Sequence, residues 1–187
     1  VASNTVRDCS TREIDYAKME IAIEVYNRIE AGVRQSERLQ AVYGSAYIGD
    51  TDDLVVLLTE DTEQIRAEFE ELAEGDTVLF APCTYTFAEL CEAQEQIWAR
   101  AKEAGLVQLD APVLCASGIL VRENCLDVAV AADAPQARSS FWREIQMEYP
   151  VRLRYADRTV ALSTLRPGAA ITVNGFYLSI GYRALSL

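Results

Sequence analysis

Leu54, Val56, Leu58 and Asp61 recur 72 residues later as Leu126, Val128, Val130 and Asp133, and Val78 recurs 73 residues later as Val151. A fixed period over alternating apolar positions is the signature of one structural unit used twice. The unit reads as strand–strand–helix–strand. In the first copy, Tyr47-Ile48 and residues 54–58 are rich in β-formers, and Gly49-Asp50-Thr51-Asp52-Asp53 between them is turn chemistry. Residues 62–73 then read as a helix closed by Gly75, and 77–85 as a strand in which Pro82 marks an edge or a bulge. In the second copy, residues 119–133 form the hairpin, turning at Arg122-Glu123-Asn124. A helix from Pro135 to about Gln146 turns Phe141, Trp142 and Ile145 inward, and residues 151–158 form the last strand.

Two further helices complete the plan. Ile14, Ile21, Val25, Ile29 and Val33 fall on one helical face, which predicts one long helix over 12–40, capped by Ser10 or Thr11 with Glu13 in its first turn. Thr86 followed by Glu89 is a capping box for a helix over 87–104, stopped by Gly105. Neither strand unit alone holds enough core to be stable, so this helix reads as a connector on which both pack. The expected fold class is α+β: two repeated strand–strand–helix–strand lobes (42–86 and 112–161) bridged by helix 87–104. An N-terminal helical segment (1–41) precedes them, and a C-terminal β segment (162–187) follows.

Composition restricts the chemistry. Twenty-nine acidic residues against 17 basic give a net charge of −12, so neither nucleic acid nor an anionic membrane, which demand clustered Lys and Arg, is expected as a partner. There is no apolar run long enough for a transmembrane segment. The chain contains no histidine, which excludes Ser-His-Asp and Cys-His catalysis within it and removes the commonest zinc ligand. Cys9, Cys83, Cys91, Cys115 and Cys125 form no C-x-x-C pair. They read first as small buried residues, with one disulfide as the alternative. The acidic turn at 49–53 lacks the spacing of an EF-hand and reads as solvated. Adjacent acids such as Asp52-Asp53 and Glu70-Glu71 read as solvent-facing, so no catalytic residue, metal site or cofactor is expected.

The order of "AYIGDTDDLVVLLTED", a helix, a strand, the "TFAEL" helix and the hairpin "ILVRENCLDVAVA" resembles the proregions of secreted bacterial chymotrypsin-like serine proteases of the alpha-lytic protease and streptogrisin type. Leu54-Val55-Val56, and Asn124 with Leu126, Val128 and Val130, carry the resemblance over about residues 39–160. The tail adds to it, because "RPGAAI" and "SIGYRA" look like the first strands of such a protease. One departure is Leu178, where the family has Cys before the Ser-Ile-Gly stretch. The chain stops before the family's catalytic residues, so protease activity does not carry over to it.

The resemblance implies a module that assists folding of a serine protease, in cis or in trans, and then inhibits it. It implies a bacterial protein that is secreted or at the cell surface, with its signal peptide already removed. By the resemblance, the processing segment is Leu162, Ser163, Thr164 and Leu165, with Leu165 on the acyl side of the cut. The physical counterpart is strand addition: an all-β protease pairs its strands slowly, and a separate sheet edge can hold a late-forming hairpin. Val151, Leu153 and Tyr155 are the expected edge; the alternative is an edge blunted by Arg152, Arg154 and Arg158. The competing function is a stand-alone extracellular binding protein that kept the proregion fold without an active protease.

Overall fold

Two three-stranded sheets carry the two copies of the repeat. In this computed structural model, residues 15–108, 111–156, 170–173 and 176–179 are described. The first sheet holds β1 (Tyr43–Ile48), β2 (Leu54–Leu58) and β3 (Val78–Pro82), the second β4 (Leu114–Leu120), β5 (Cys125–Ala131) and β6 (Val151–Ala156). Their orders are β1-β2-β3 and β4-β5-β6, each with an antiparallel hairpin followed by a parallel third strand. The crossovers are α3 (Glu63–Leu72) and, after a 3-10 turn at Pro135–Arg138, α5 (Ser140–Glu148). The α+β class and the repeated topology are those the 72-residue period implies. A separate hairpin pairs β7 (Ala170–Val173) with β8 (Phe176–Ser179). No helix among the described residues is long and apolar enough to cross a membrane.

The N-terminal helix differs from its expected form. It divides into α1 (Tyr16–Gln35) and a single turn, α2 (Glu37–Gln40). Ser36 between them is extended, and its hydroxyl accepts from Leu39 N–H as the N-cap of α2. Asp15 caps α1 through a bond from Lys18 N–H. The expected caps at Ser10 and Thr11, and Ile14, lie outside the described residues. The buried face of α1 is Ala22, Val25, Ile29 and Val33, while Ile21 is 48% exposed. Steps of seven and four admitted Ile21, but the sheet covers a stripe one residue further round.

Helix α4 (Phe87–Glu103) carries the expected Thr86/Glu89 capping box and touches β1 of the first lobe as well as β4 and β5 of the second. Its buried face, however, belongs to the second lobe. Leu90, Ala93, Ile97 and Ala101 all enter one core with Leu126, Val128, Val130, Trp142 and Ile145. The other core joins Val25, Ile29 and Val33 of α1 to Leu54, Val56, Leu58, Ile65 and Phe69. Val25 and Ile29 stand 72 residues before Ile97 and Ala101. Helix α4 is therefore the counterpart of α1, and the repeated unit is helix–strand–strand–helix–strand.

The copies share their irregularities. Each first strand carries one extra residue opposite its partner, Gly44 in β1 and Cys115 in β4. Each hairpin turn contains a left-handed Asx residue, Asp52 (φ 61°) and Asn124 (φ 49°). These side chains do equivalent work. Asp52 Oδ2 accepts from the backbone N–H of Asp15, the N-cap of α1, at 3.3 Å. Asn124 Oδ1 accepts from the N–H groups of Thr84 and Tyr85 at 2.9 and 2.7 Å, just ahead of α4. Each hairpin thus fixes the start of the helix that covers it.

Candidate functional site

A three-stranded sheet has two open sides, so two lobes present four edges, and backbone register decides which of them can accept another strand. The outer strands β1 and β4 are each interrupted by their bulge, which breaks the outward row of N–H and C=O groups. The start of β4 is also covered, since Leu106 C=O accepts from both Val113 and Leu114 N–H.

The remaining edges, β3 and β6, occupy equivalent places and differ in one residue. Cys83 N–H donates inward to Leu58 C=O, so by alternation Val78, Phe80 and Pro82 turn their backbone groups outward. Pro82 has no N–H, and the β3 edge is closed at that position. In the second lobe, Pro150 and Ala156 C=O accept inward from Leu126 and Ala132 N–H. The outward set is therefore Val151, Leu153 and Tyr155, the residues expected from sequence to form the edge. Pro82 faces Leu58 in its sheet, and Tyr155 faces Val130 in the other, so Tyr155 is the counterpart of Pro82 with its N–H restored. Val151 N–H is already used by Tyr149 C=O at 2.8 Å. The outward N–H groups of Leu153 and Tyr155 and the carbonyls of all three residues make a regular row. No strand among the described residues pairs with it.

The two faces of β6 carry different chemistry. Val151 and Leu153 pack against the second core, on the side of α4 and α5. On the opposite face, Arg152 Nε and Arg154 Nε donate to the two carboxylate oxygens of Asp127 at 3.4 and 3.1 Å. Both arginines of the blunting alternative reach back across the sheet toward Asp127; its third, Arg158, lies outside the described residues. Next to the start of β6, Met147, Tyr149, Val151 and Leu153 line an open cleft of ≈ 650 Å³. Met147 is 83% exposed and Tyr155 54%. The cleft wall is braced by Tyr149, whose hydroxyl donates to Gln96 Oε1 at 2.9 Å, and by the Arg100–Glu148 ion pair.

A second groove of ≈ 640 Å³ lies where Phe87 and Ala88 of α4 face Val33 and Arg34. Tyr43 on its wall donates its hydroxyl to Glu30 at 2.7 Å. Burial, reinforced by Glu30, pushes this phenol far above its ordinary pKa, so it acts as a fixed donor.

Cys83, Cys115 and Cys125 are free thiols, and burial raises the pKa of Cys83 and Cys125, opposite to the shift a nucleophile requires. Among the described residues no cluster of three or more His, Cys, Asp or Glu is placed to hold a metal ion. The expected processing segment, Leu162, Ser163, Thr164 and Leu165, lies outside the described residues. The sequence reading missed Pro82 as the residue that separates the two edges, Met147 beside the edge, and Asp127 between the arginines. The alternation of Arg152 and Arg154 was a usable signal for a common counter-ion on the neighbouring strand.

No protein-family model matches the chain, and no curated protein matches it significantly.

Proposed function

We propose that the chain is a non-catalytic, proregion-like module that assists the folding of a chymotrypsin-like serine protease, in cis or in trans, and then inhibits it. It acts outside a bacterial cell, secreted or at its surface. The observation that carries this reading is the β6 edge. Among the four edges of the two three-stranded sheets, it is the one whose outward backbone row is neither bulged nor interrupted by proline, and it sits on an α+β lobe of the kind the sequence resemblance implies. A hairpin of a slow-folding β protein that docks on Leu153 and Tyr155 gains main-chain hydrogen bonds before its own long-range strands close. The bond set makes few demands on the partner's side chains, which suits a folding template. Absence of histidine from the sequence and the raised thiol pKa values weigh against a catalytic role.

The test is refolding of a denatured streptogrisin-type protease with and without an equimolar amount of this chain. The expected result is a faster recovery of native protease, together with slowed hydrolysis of a fluorogenic peptide by protease that is already native. Tyr155→Pro, which copies Pro82 onto β6, is expected to remove both effects while leaving circular dichroism unchanged. Unaltered refolding and hydrolysis at micromolar concentrations of the chain would overturn the protease reading. Effects undiminished by Tyr155→Pro would overturn the edge as the site.

A further inference from the structure

The two cores share no buried residue. Between the two lobes the chain changes sides across a single peptide bond. Cys83 N–H donates to Leu58 C=O and so belongs to the first sheet. Thr84 and Tyr85 N–H donate to Asn124 of the second lobe, and the Tyr85 side chain packs on the second core. No helix or strand spans the joint, because β3 ends at Pro82 and α4 begins at Phe87. A joint of this kind takes up a rotation in a few backbone torsions.

Contacts cross the boundary at both ends of β1. Near its start, Cys83 Sγ and Tyr85 C=O crowd Gly44, and Phe87 and Ala88 share a groove with Tyr43 and Val33. Beyond its other end, Arg122 reaches the Ile48 carbonyl, the ring of Tyr47 and the carboxylate of Asp50. Gly44 and Ile48 are about 13 Å apart along the strand. The contacts at Gly44 sit at the joint, where a rotation displaces them least. Those of Arg122 sit at the end of the lever, where it displaces them most.

We infer that the chain is hinged at the Cys83–Thr84 peptide and that Arg122 is the clasp that holds the two lobes closed. Lobes with separate cores move against each other unless a large apolar interface joins them. Here the clasp is polar and open to water: the Arg122 side chain is 50% exposed and that of Asp50 83%. Such a clasp opens without uncovering either core, so both lobes stay folded in both settings. Asn124 keeps Thr84 and Tyr85 on the second lobe throughout, which confines the motion to the peptide before them. A partner that touches both lobes selects one setting, and Arg122 sets how unfavourable the other is.

The test is a distance between the lobes in the whole chain. Keto-bearing amino acids in place of Glu71 on α3 and Glu144 on α5, both exposed, take spin labels without touching the native cysteines. Double electron–electron resonance is expected to give one narrow distance when Arg122 is present. Arg122→Ala is expected to raise the open-to-closed ratio about tenfold, which adds a second distance. Arg122→Glu sets like charges against Asp50 and raises the ratio further. Asp50→Ala leaves the carbonyl and ring contacts and changes it less than about threefold. A distance unchanged in both Arg122 variants overturns the clasp. A broad spread with Arg122 in place overturns it equally, since the clasp then closes nothing. A second label pair at Glu103 and Glu144, both in the second lobe, keeps one distance in every variant; broadening there places the motion inside the lobe and overturns the hinge. Circular dichroism identifies a variant that fails to fold, and where Arg122→Glu does so, Arg122→Ala decides alone.

Discussion

Arg122 and Asp50 occupy the same position in the two copies of the repeat, 72 residues apart, and their side chains meet across the lobe boundary at 2.9 Å. Arg122 also donates to Ile48 C=O at 3.1 Å and lies 4.8 Å above the ring of Tyr47. The hairpin tip of one lobe thereby grips the hairpin of the other, by contacts that no single copy can make.

The grip is unequal between its partners. The Asp50 side chain is 83% exposed, so its charge is well screened. Asp50→Ala is expected to cost at most about 0.5 kcal/mol in urea unfolding. Arg122→Ala also loses the carbonyl bond and the aromatic face, and is expected to cost on the order of 1–2 kcal/mol. A double-mutant cycle should return a coupling below about 1 kcal/mol. A larger coupling would mean that the ion pair, not the Tyr47 contact, dominates.

Asn124 has a heavier task. Its amide accepts from Thr84 and Tyr85 N–H and donates to Tyr85 C=O at 2.8 Å, from a left-handed backbone. Asn124→Ala removes all three bonds and adds backbone strain, for an expected loss of about 2–4 kcal/mol. Asn124→Gly keeps the backbone and should lose about 1 kcal/mol less. Equal losses for the two variants would show that the φ angle contributes nothing.

Gly44 is confined by its surroundings. A Cβ there would stand 2.3 Å from Cys83 Sγ and 3.2 Å from both Leu57 Cβ and Tyr85 O. Gly44→Ala is expected to destabilise by about 1–3 kcal/mol. The second substitution Cys83→Ala should recover part of that loss by removing the sulfur. Recovery absent from the double variant would place the strain at the backbone carbonyl instead.

Acid stability follows from three carboxylates held below their ordinary range. The hydrogen bond from Lys18 lowers Asp53, that from Arg66 lowers Asp61, and that from Arg100 lowers Glu148. Their folded values lie below the ordinary 3.8 for Asp and 4.5 for Glu, so each contribution is complete above those values. It is lost as the pH falls through the folded values. The urea midpoint should therefore drop on acidification below about pH 4.5, and Arg100→Gln should soften the drop. A midpoint that rises on acidification would contradict the assignment.

Much of this fold was legible because hairpins write themselves locally: Leu54 to Leu58 and the turn before them need no partner to be recognised. The break at Ser36 was not, since Ser-Glu-Arg-Leu continues a helix by composition and only capping geometry shows the interruption. The kinship of α1 and α4 was hidden because Ile29 is answered by Ala101, a change in volume that a helix tolerates and a pattern match overlooks. Val151, Leu153 and Tyr155 were legible as an alternating set. Which edge stays open was not, because it depends on register with β2 and β5, which no local window contains.

Pro82 and Tyr155 give the molecule a polarity. A protein with two open sheet edges can be extended from both ends, and each added copy offers the next its own free side, so growth into fibres has no natural stop. Here one lobe ends in a residue that cannot donate and the other in one that can. At that matched position a strand laid on β3 would meet no donor, and one laid on β6 would. The duplication that doubled the lobes doubled their edges as well, and a single proline makes the two unequal.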